Sequence, residues 1–240
     1  MIREEEGQGV GLLERIAPPH CLLCGDPGDG GIALCAGCRA DLPRNDHPCV
    51  RCAEPLPGTG DDLPELRVCG PCLWRPPPYV AIHVPFRYAP PIDWLVRRLK
   101  FHGDLAAGRL LGDLLARELT ARIERVDAVV PMPLHRQRLI ERGFNQADEL
   151  ARPLARALKA GRAPGMLERV RATPPQMDLP AKRRRANVRG AFARRRPPPG
   201  RVLLVDDVVT TASTLREAAR QLASSGDCGV TVAAVARAAR

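Results

Sequence analysis

Along the second part of the chain, apolar positions fall into two alternating rhythms. Ile82, Val84, Phe86 and Tyr88 alternate with polar or small residues, the period of a half-buried strand. Ile92, Leu95, Val96 and Leu99 recur at i, i+3, i+4 and i+7, one face of a helix. A second helix is predicted to start at Asp104 as N-cap, with Leu111, Leu114, Leu115 and Leu119 inward. Val126 to Val130 is a short apolar run closed by Pro131, the pattern of a buried parallel strand. Asn145 to Lys159 has helical spacing at Ala147, Leu150, Ala151, Leu154 and Leu158, and Pro153 inside it predicts a kink or a shortened helix. Val202 to Val205 predicts a buried strand, Ser213 to Ser224 a helix, and Gly229 to Ala236 a last strand. Strands alternating with helices imply a parallel sheet covered on both faces. Ligands of such sheets bind at the carboxyl ends of the strands. Residues 159–200 break the rhythm. They are rich in Arg and Pro, with Phe192 among few large apolar residues, and read as a long, partly mobile excursion.

The region from Pro18 to Trp74 has a different character. It holds eight of the nine cysteines, with many Gly and Pro, and it ends at the stiff segment Arg75-Pro76-Pro77-Pro78. The cysteines form four C-x-x-C pairs: Cys21/Cys24, Cys35/Cys38, Cys49/Cys52 and Cys69/Cys72. Each pair can grip a tetrahedral ion from a tight turn, and a second pair closes the shell. Two zinc ions in closed, structural, cysteine-only sites are the expectation. Consecutive pairing suits the spacing, with nested or cross-braced pairing as the alternative. A redox dithiol would call for a C-x-x-C beside a βαβ unit, which this region lacks. A ribbon of this size folds only with its metal.

The length of 240 residues accommodates one α/β domain and a small appendage. Hydrophobic residues make up 45% and aromatics 3%, so the core must be aliphatic. The net charge of +10 favours anionic partners without choosing among nucleic acid, phosphorylated metabolites and acidic surfaces. Scarce aromatics argue against a base-stacking platform for single strands. The N-terminal MIREEEGQGV is acidic, and no apolar run is long enough to span a membrane, so a cytoplasmic protein with reduced thiols is expected.

The most informative stretch is Val202-Leu203-Leu204-Val205-Asp206-Asp207-Val208-Val209-Thr210-Thr211-Ala212-Ser213-Thr214. A buried strand delivers two adjacent carboxylates to its carboxyl end, followed by a hydroxyl-rich turn and a helix. Carboxylates accept hydrogen bonds from the vicinal hydroxyls of a sugar. Hydroxyls and the N–H groups of a helix N-terminus bind phosphate. One segment could hold both ends of a ribose phosphate.

This stretch resembles the signature of type I phosphoribosyltransferases, and the chain resembles the ComF family (ComFC/GntX-like) over nearly its whole length. The matching pieces are the cysteine pairs, Leu99-Lys100-Phe101, Val130-Pro131-Met132-Pro133-Leu134 and Arg142-Gly143-Phe144-Asn145-Gln146. Thr173, Gln176, Arg184, Asn187, Val188 and Gly190 to Phe192 follow, and then the phosphate loop. The resemblance implies a type I phosphoribosyltransferase-like parallel sheet flanked by helices, preceded by a small Cys-rich zinc-ribbon domain. Residues 1–17 would be a tail or short helix, 18–75 the double zinc ribbon, and 79–240 the phosphoribosyltransferase-like domain, with 159–200 as hood. It further implies that Asp206 and Asp207 contact the ribose hydroxyls of phosphoribosyl pyrophosphate (PRPP), and would be the catalytic pair if there is turnover. Thr210, Thr211, Ala212, Ser213 and Thr214 would wrap its 5-phosphate. Arg136, Arg138 and Arg142 would lie in a pyrophosphate loop, residues 176–189 would cover the site, and magnesium would bridge diphosphate and ribose oxygens. The family usually has Gly at the position of Ala212, where Gly allows positive φ and close backbone approach.

Three functions follow from this reading. The first is a PRPP-binding, phosphoribosyltransferase-like protein linked to competence and DNA uptake. The second is a nucleobase salvage transferase. It would call for a base pocket, and the last strand, with Val235, Ala236 and Arg237, offers no aromatic to stack on a base. The third is a non-catalytic adaptor binding single-stranded DNA or partners through the ribbon and the basic runs Lys182–Arg185 and Arg194–Arg196. His83, His102 and His135 are acid–base candidates by chemistry alone, His135 reading more simply as an exposed loop residue.

Overall fold

A computed structural model describes residues 19–57, 67–123, 125–172, 188–223 and 229–238. Thr173, Gln176, Lys182–Arg185, Asn187 and Cys228, with the proposed tail, lie outside the described residues. So does the proposed hood segment 176–189, apart from Val188 and Arg189. The chain divides into two compact units, residues 1–42 and 43–240. The division falls between the two cysteine clusters. The first unit carries the short helix α1 (Ala36–Ala40). The second carries α2 (Gly70–Trp74) and the sheet.

The sheet is built from strands that the chain visits out of order. β1 (Ala81–His83), β8 (Val230–Arg237), β7 (Val202–Val209), β3 (Ala128–Pro131) and β4 (Gly161–Arg162) lie side by side in that order. β2 (Phe86–Arg87) pairs with β8 beyond β1. Every pairing in this sheet is parallel. The run Ile82–Tyr88 is therefore two strands. Proline at position 85 has no N–H to give a ladder, and the carbonyls of Val84 and Pro85 accept instead from Asn45, through its side-chain amide and backbone N–H. Ile82, Val84 and Phe86 are buried as expected, whereas Tyr88 is exposed.

The strands in the middle of the sheet are covered on both faces. On one face Ala128, Val130, Val202, Leu204, Val230, Val232 and Ala234 share a core with Leu215, Ala218, Ala219 and Leu222 of α7 (Ser213–Ala223). On the other, Val129, Leu203, Val205, Ala233 and Val235 are equally buried. Such two-sided burial explains why the segments read as continuous apolar runs. α3 (Ile92–His102) buries the four residues its period predicts. α4 (Leu105–Thr120) is capped by the Asp104 side chain, which accepts from the Ala107 N–H. α6 (Gln146–Ala157) is capped by Asn145 and runs on through Pro153. The proline ring packs against Gly112 of α4, at a place where any Cβ would collide with it.

The described residues of the excursion 159–200 include three short strands, β4 among them. β5 (Leu167–Arg169) pairs antiparallel with β6 (Phe192–Arg194), and buried Phe192 joins the core.

Candidate ribose-phosphate site and cysteine clusters

β7 carries the site. It extends four residues past the predicted end at Val205, so Asp206 and Asp207 lie within the ladder and not in a loop. Asp206 is in register with Ala234, and Val209 with Arg237. The Asp207 N–H donates to Asp206 Oδ1 at 2.9 Å, and Asp207 Oδ1 accepts from the Val208 N–H at 2.6 Å. Lys100 Nζ, arriving from α3, lies 2.9 Å from Asp207 Oδ1. The other oxygen of Asp207, Oδ2, is buried with no hydrogen-bond partner. Such an atom is costly to leave unmatched and fits a ligand hydroxyl.

Two adjacent acids in a dry place cannot both ionise freely. Burial first, and then the neighbouring Asp207, push the Asp206 carboxyl up to about 7, against the pull of Lys100 and Arg169. Arg169 on β5 and Arg142 on α5 (Arg136–Arg142) feel Asp206 and Asp207 in turn, both under a desolvation penalty.

After Val209 the chain turns through Thr210, Thr211 and Ala212 into α7. Ala212 is buried and holds φ +57°, the left-handed conformation that glycine adopts freely. The Thr211 and Ser213 hydroxyls are 3.0 Å apart. Beneath the turn lies Arg237, the last residue of β8 and 1% exposed. Its guanidinium donates to the carbonyls of Val209 at 2.8 Å, Thr210, and Ala238 at 3.0 Å. It also pairs with the Glu54 carboxylate. Above the turn a cleft of about 400 Å³ is lined by Tyr88, Lys100, Asp206, Val208, Val209, Thr210, Ala212, Thr214, Leu215 and Ala238. Tyr88 brings an aromatic face to the cleft from outside the last strand.

The segment expected as a pyrophosphate loop is a helix. His135 Nδ1 accepts from the Gln137 N–H at 3.3 Å and caps α5, so three arginines sit on one short turn of structure. Arg142 is half-buried and donates to Gln146 Oε1 at 2.5 Å, while Arg136 and Arg138 are exposed. His83 is partly buried on β1, and desolvation lowers its pKa; His102 is exposed at the end of α3.

Both cysteine clusters gather as consecutive pairs. Cys21, Cys24, Cys35 and Cys38 form one, Cys49, Cys52, Cys69 and Cys72 the other, and within each the sulfurs lie within 4.8 Å of one another. Zn–S bonds of about 2.3 Å at tetrahedral angles place sulfurs about 3.8 Å apart. The Cys24–Cys35 and Cys52–Cys69 separations are both 3.6 Å, so each set fits one structural zinc ion. The Cys38 N–H donates to Cys35 Sγ and the Cys69 N–H to Cys49 Sγ, as thiolate ligands require.

The two clusters repeat one design. Bridges His20–Pro27 and Pro48–Pro55 close matching turns, in which Cys24-Gly25 corresponds to Cys52-Ala53. Gly25 and Ala53 both have positive φ, +86° and +58°. Cys35 and Cys69 each precede a five-residue helix.

A parallel sheet flanked by helices, with paired acids on one strand, joined to two four-cysteine clusters that each fit a zinc ion, defines an α/β protein with a double zinc ribbon. Residues 12–73 match the double zinc ribbon domain family. The chain is 36% identical to DNA utilization protein YhgH of Escherichia coli K12 over 222 residues, covering 90% of this chain and 95% of the relative. The Salmonella typhimurium protein of that name is 35% identical over the same shares. Competence protein F of Haemophilus influenzae is 33% identical over 214 residues, 85% of this chain and 90% of the relative. The chain belongs to the ComF family, together with these proteins. No helix among the described residues is long and apolar enough to cross a membrane.

The acids and the turn are legible in the sequence, whereas the places of Arg237, Arg169 and Glu54 beside them are not. One signal was available for Arg237: it is the sole charge in the apolar run Val230–Arg237.

Proposed function

We propose that this protein binds PRPP or a related ribose 5-phosphate in the cleft above β7 and α7, in the service of DNA uptake or DNA utilisation. The observation that carries the reading is the acid pair on β7, with Asp207 Oδ2 buried and unmatched. A vicinal diol would donate to Asp206 and Asp207, and the 5-phosphate would lie against Thr210–Thr214 at the start of α7. Arg142, Arg169 and Lys100 supply positive charge on the acid side, suited to a diphosphate. Asp206 and Asp207 are the residues that would hold a magnesium ion at this site, where it would supply charge neutralisation for a diphosphate. The link to DNA rests on the names of the relatives and on the net charge of +10.

Calorimetric titration of PRPP with magnesium tests the reading, using the wild type and Asp207→Asn. Binding by the wild type and its loss in the variant are expected. An absence of heat at millimolar PRPP in the wild type would sink it.

A further inference from the structure

The second four-cysteine cluster is bonded to the turn that receives the phosphate. Its first turn, Cys49 to Pro55, contains Glu54, whose backbone carbonyl accepts from the Cys49 N–H at 2.8 Å. The Glu54 carboxylate pairs with Arg237, and Arg237 holds the carbonyls of Val209 and Thr210. On the other side of the turn, Arg216 of α7 reaches the cluster directly. Its guanidinium donates to Cys72 Sγ at 3.4 Å and to the Arg75 carbonyl at 2.9 Å. Tyr79 Oη completes the attachment by donating to the Arg51 carbonyl at 2.9 Å. Two arginines thus lead from the flanks of residues 210–212 to one cysteine cluster. In the first cluster the residue matching Glu54 is Asp26, whose carboxylate stays within its own cluster, 3.4 Å from Cys24 Sγ.

We propose that Glu54, Arg237 and Arg216 are positioning residues through which the second zinc site sets the shape of the phosphate-receiving turn. Arg237 alone cannot do this. A buried guanidinium requires a fixed counter-charge, and the Cys49–Pro55 turn supplies Glu54. That turn keeps its form only while its thiolates converge on the metal. The second zinc is therefore part of the ligand site's support, while the first serves its own unit. The inference rests on the ribose-phosphate reading for the ligand's identity only.

Hydrogen exchange of the full-length, zinc-loaded chain tests it. Glu54→Gln is expected to keep two zinc ions. Exchange in peptides spanning Thr210–Arg216 should rise about tenfold, a coupling of ordinary size, while β3 and β7 keep wild-type protection. Arg216→Ala should act in the same direction, and Asp26→Asn should leave the turn unchanged. Affinity for ribose 5-phosphate should fall about tenfold in Glu54→Gln. Wild-type exchange in the turn of Glu54→Gln overturns the proposal, as does loss of zinc or uniform loosening of the whole sheet. Failure of the wild type to bind ribose 5-phosphate would sink the functional reading, and the exchange data would still decide the coupling.

Discussion

Lys100 Nζ and Asp207 Oδ1 lie 2.9 Å apart, the lysine from α3 and the acid from the middle of the sheet. Among the described residues, Lys100 is the cation paired with this acid, which is 4% exposed. Replacing it with methionine leaves the carboxylate oxygen short of a donor, at a cost of roughly 1–3 kcal/mol. Urea unfolding at pH 8 should show that loss, and a smaller one at pH 5, where Asp206 holds its proton.

Stability should fall as pH rises. Asp206 titrates from 3.8 in the unfolded chain to about 7 in the fold, so the folded state holds its proton more tightly. The unfolded chain ionises first, and stability is lost progressively from about pH 4 to about pH 7. Asp206→Asn should flatten that slope and stabilise the protein at pH 8 by roughly 1–3 kcal/mol. Denaturant midpoints across this range measure it.

Ala212→Gly should stabilise the fold. The left-handed conformation costs an L-residue about 1–2 kcal/mol, and the added freedom of the unfolded glycine returns about 0.4–1 kcal/mol of that. Losing the buried methyl takes back up to about 0.8 kcal/mol more, so a small net gain, below about 1 kcal/mol, is expected in thermal unfolding, with ribose 5-phosphate binding tightened and not weakened.

Gly112→Ala should destabilise by about 1–3 kcal/mol, the usual cost of overpacking. The new methyl group runs into the Pro153 ring and the backbone of Leu150. Calorimetric melting reads this directly.

Metal analysis should return two zinc ions per chain, one for each cluster of four cysteines. Cys72→Ser should lower the count to about one and unfold the Cys49–Trp74 segment, since such sites fold with their metal. Circular dichroism with and without a chelator checks the second part.

Local signals were legible where they were strong. The period of Ile92–Leu99, the cap at Asp104 and the four cysteine pairs each follow from one short stretch of sequence. What escaped depends on partners far along the chain. β7 continues past Val205 because β8 is there to pair with it as far as Arg237. Pro153 is tolerated because Gly112, on another helix, leaves space for its ring. Glu54 looks like any surface acid until Arg237 is seen beside it. Arg136–Arg142 reads as a basic loop, yet the cap at His135 winds it into a helix.

The extension of β7 has one more consequence. Because Asp206 and Asp207 are tied into a ladder on a strand buried on both sides, they carry almost no conformational freedom to lose. On the proposed ribose-phosphate reading, a sugar docking there would meet carboxylates already fixed, and most of the entropy lost on binding would fall on the ligand and on residues 210–214. Mutations in the sheet should therefore change how strongly the ribose is gripped, and mutations in the turn how much order must be created to grip it.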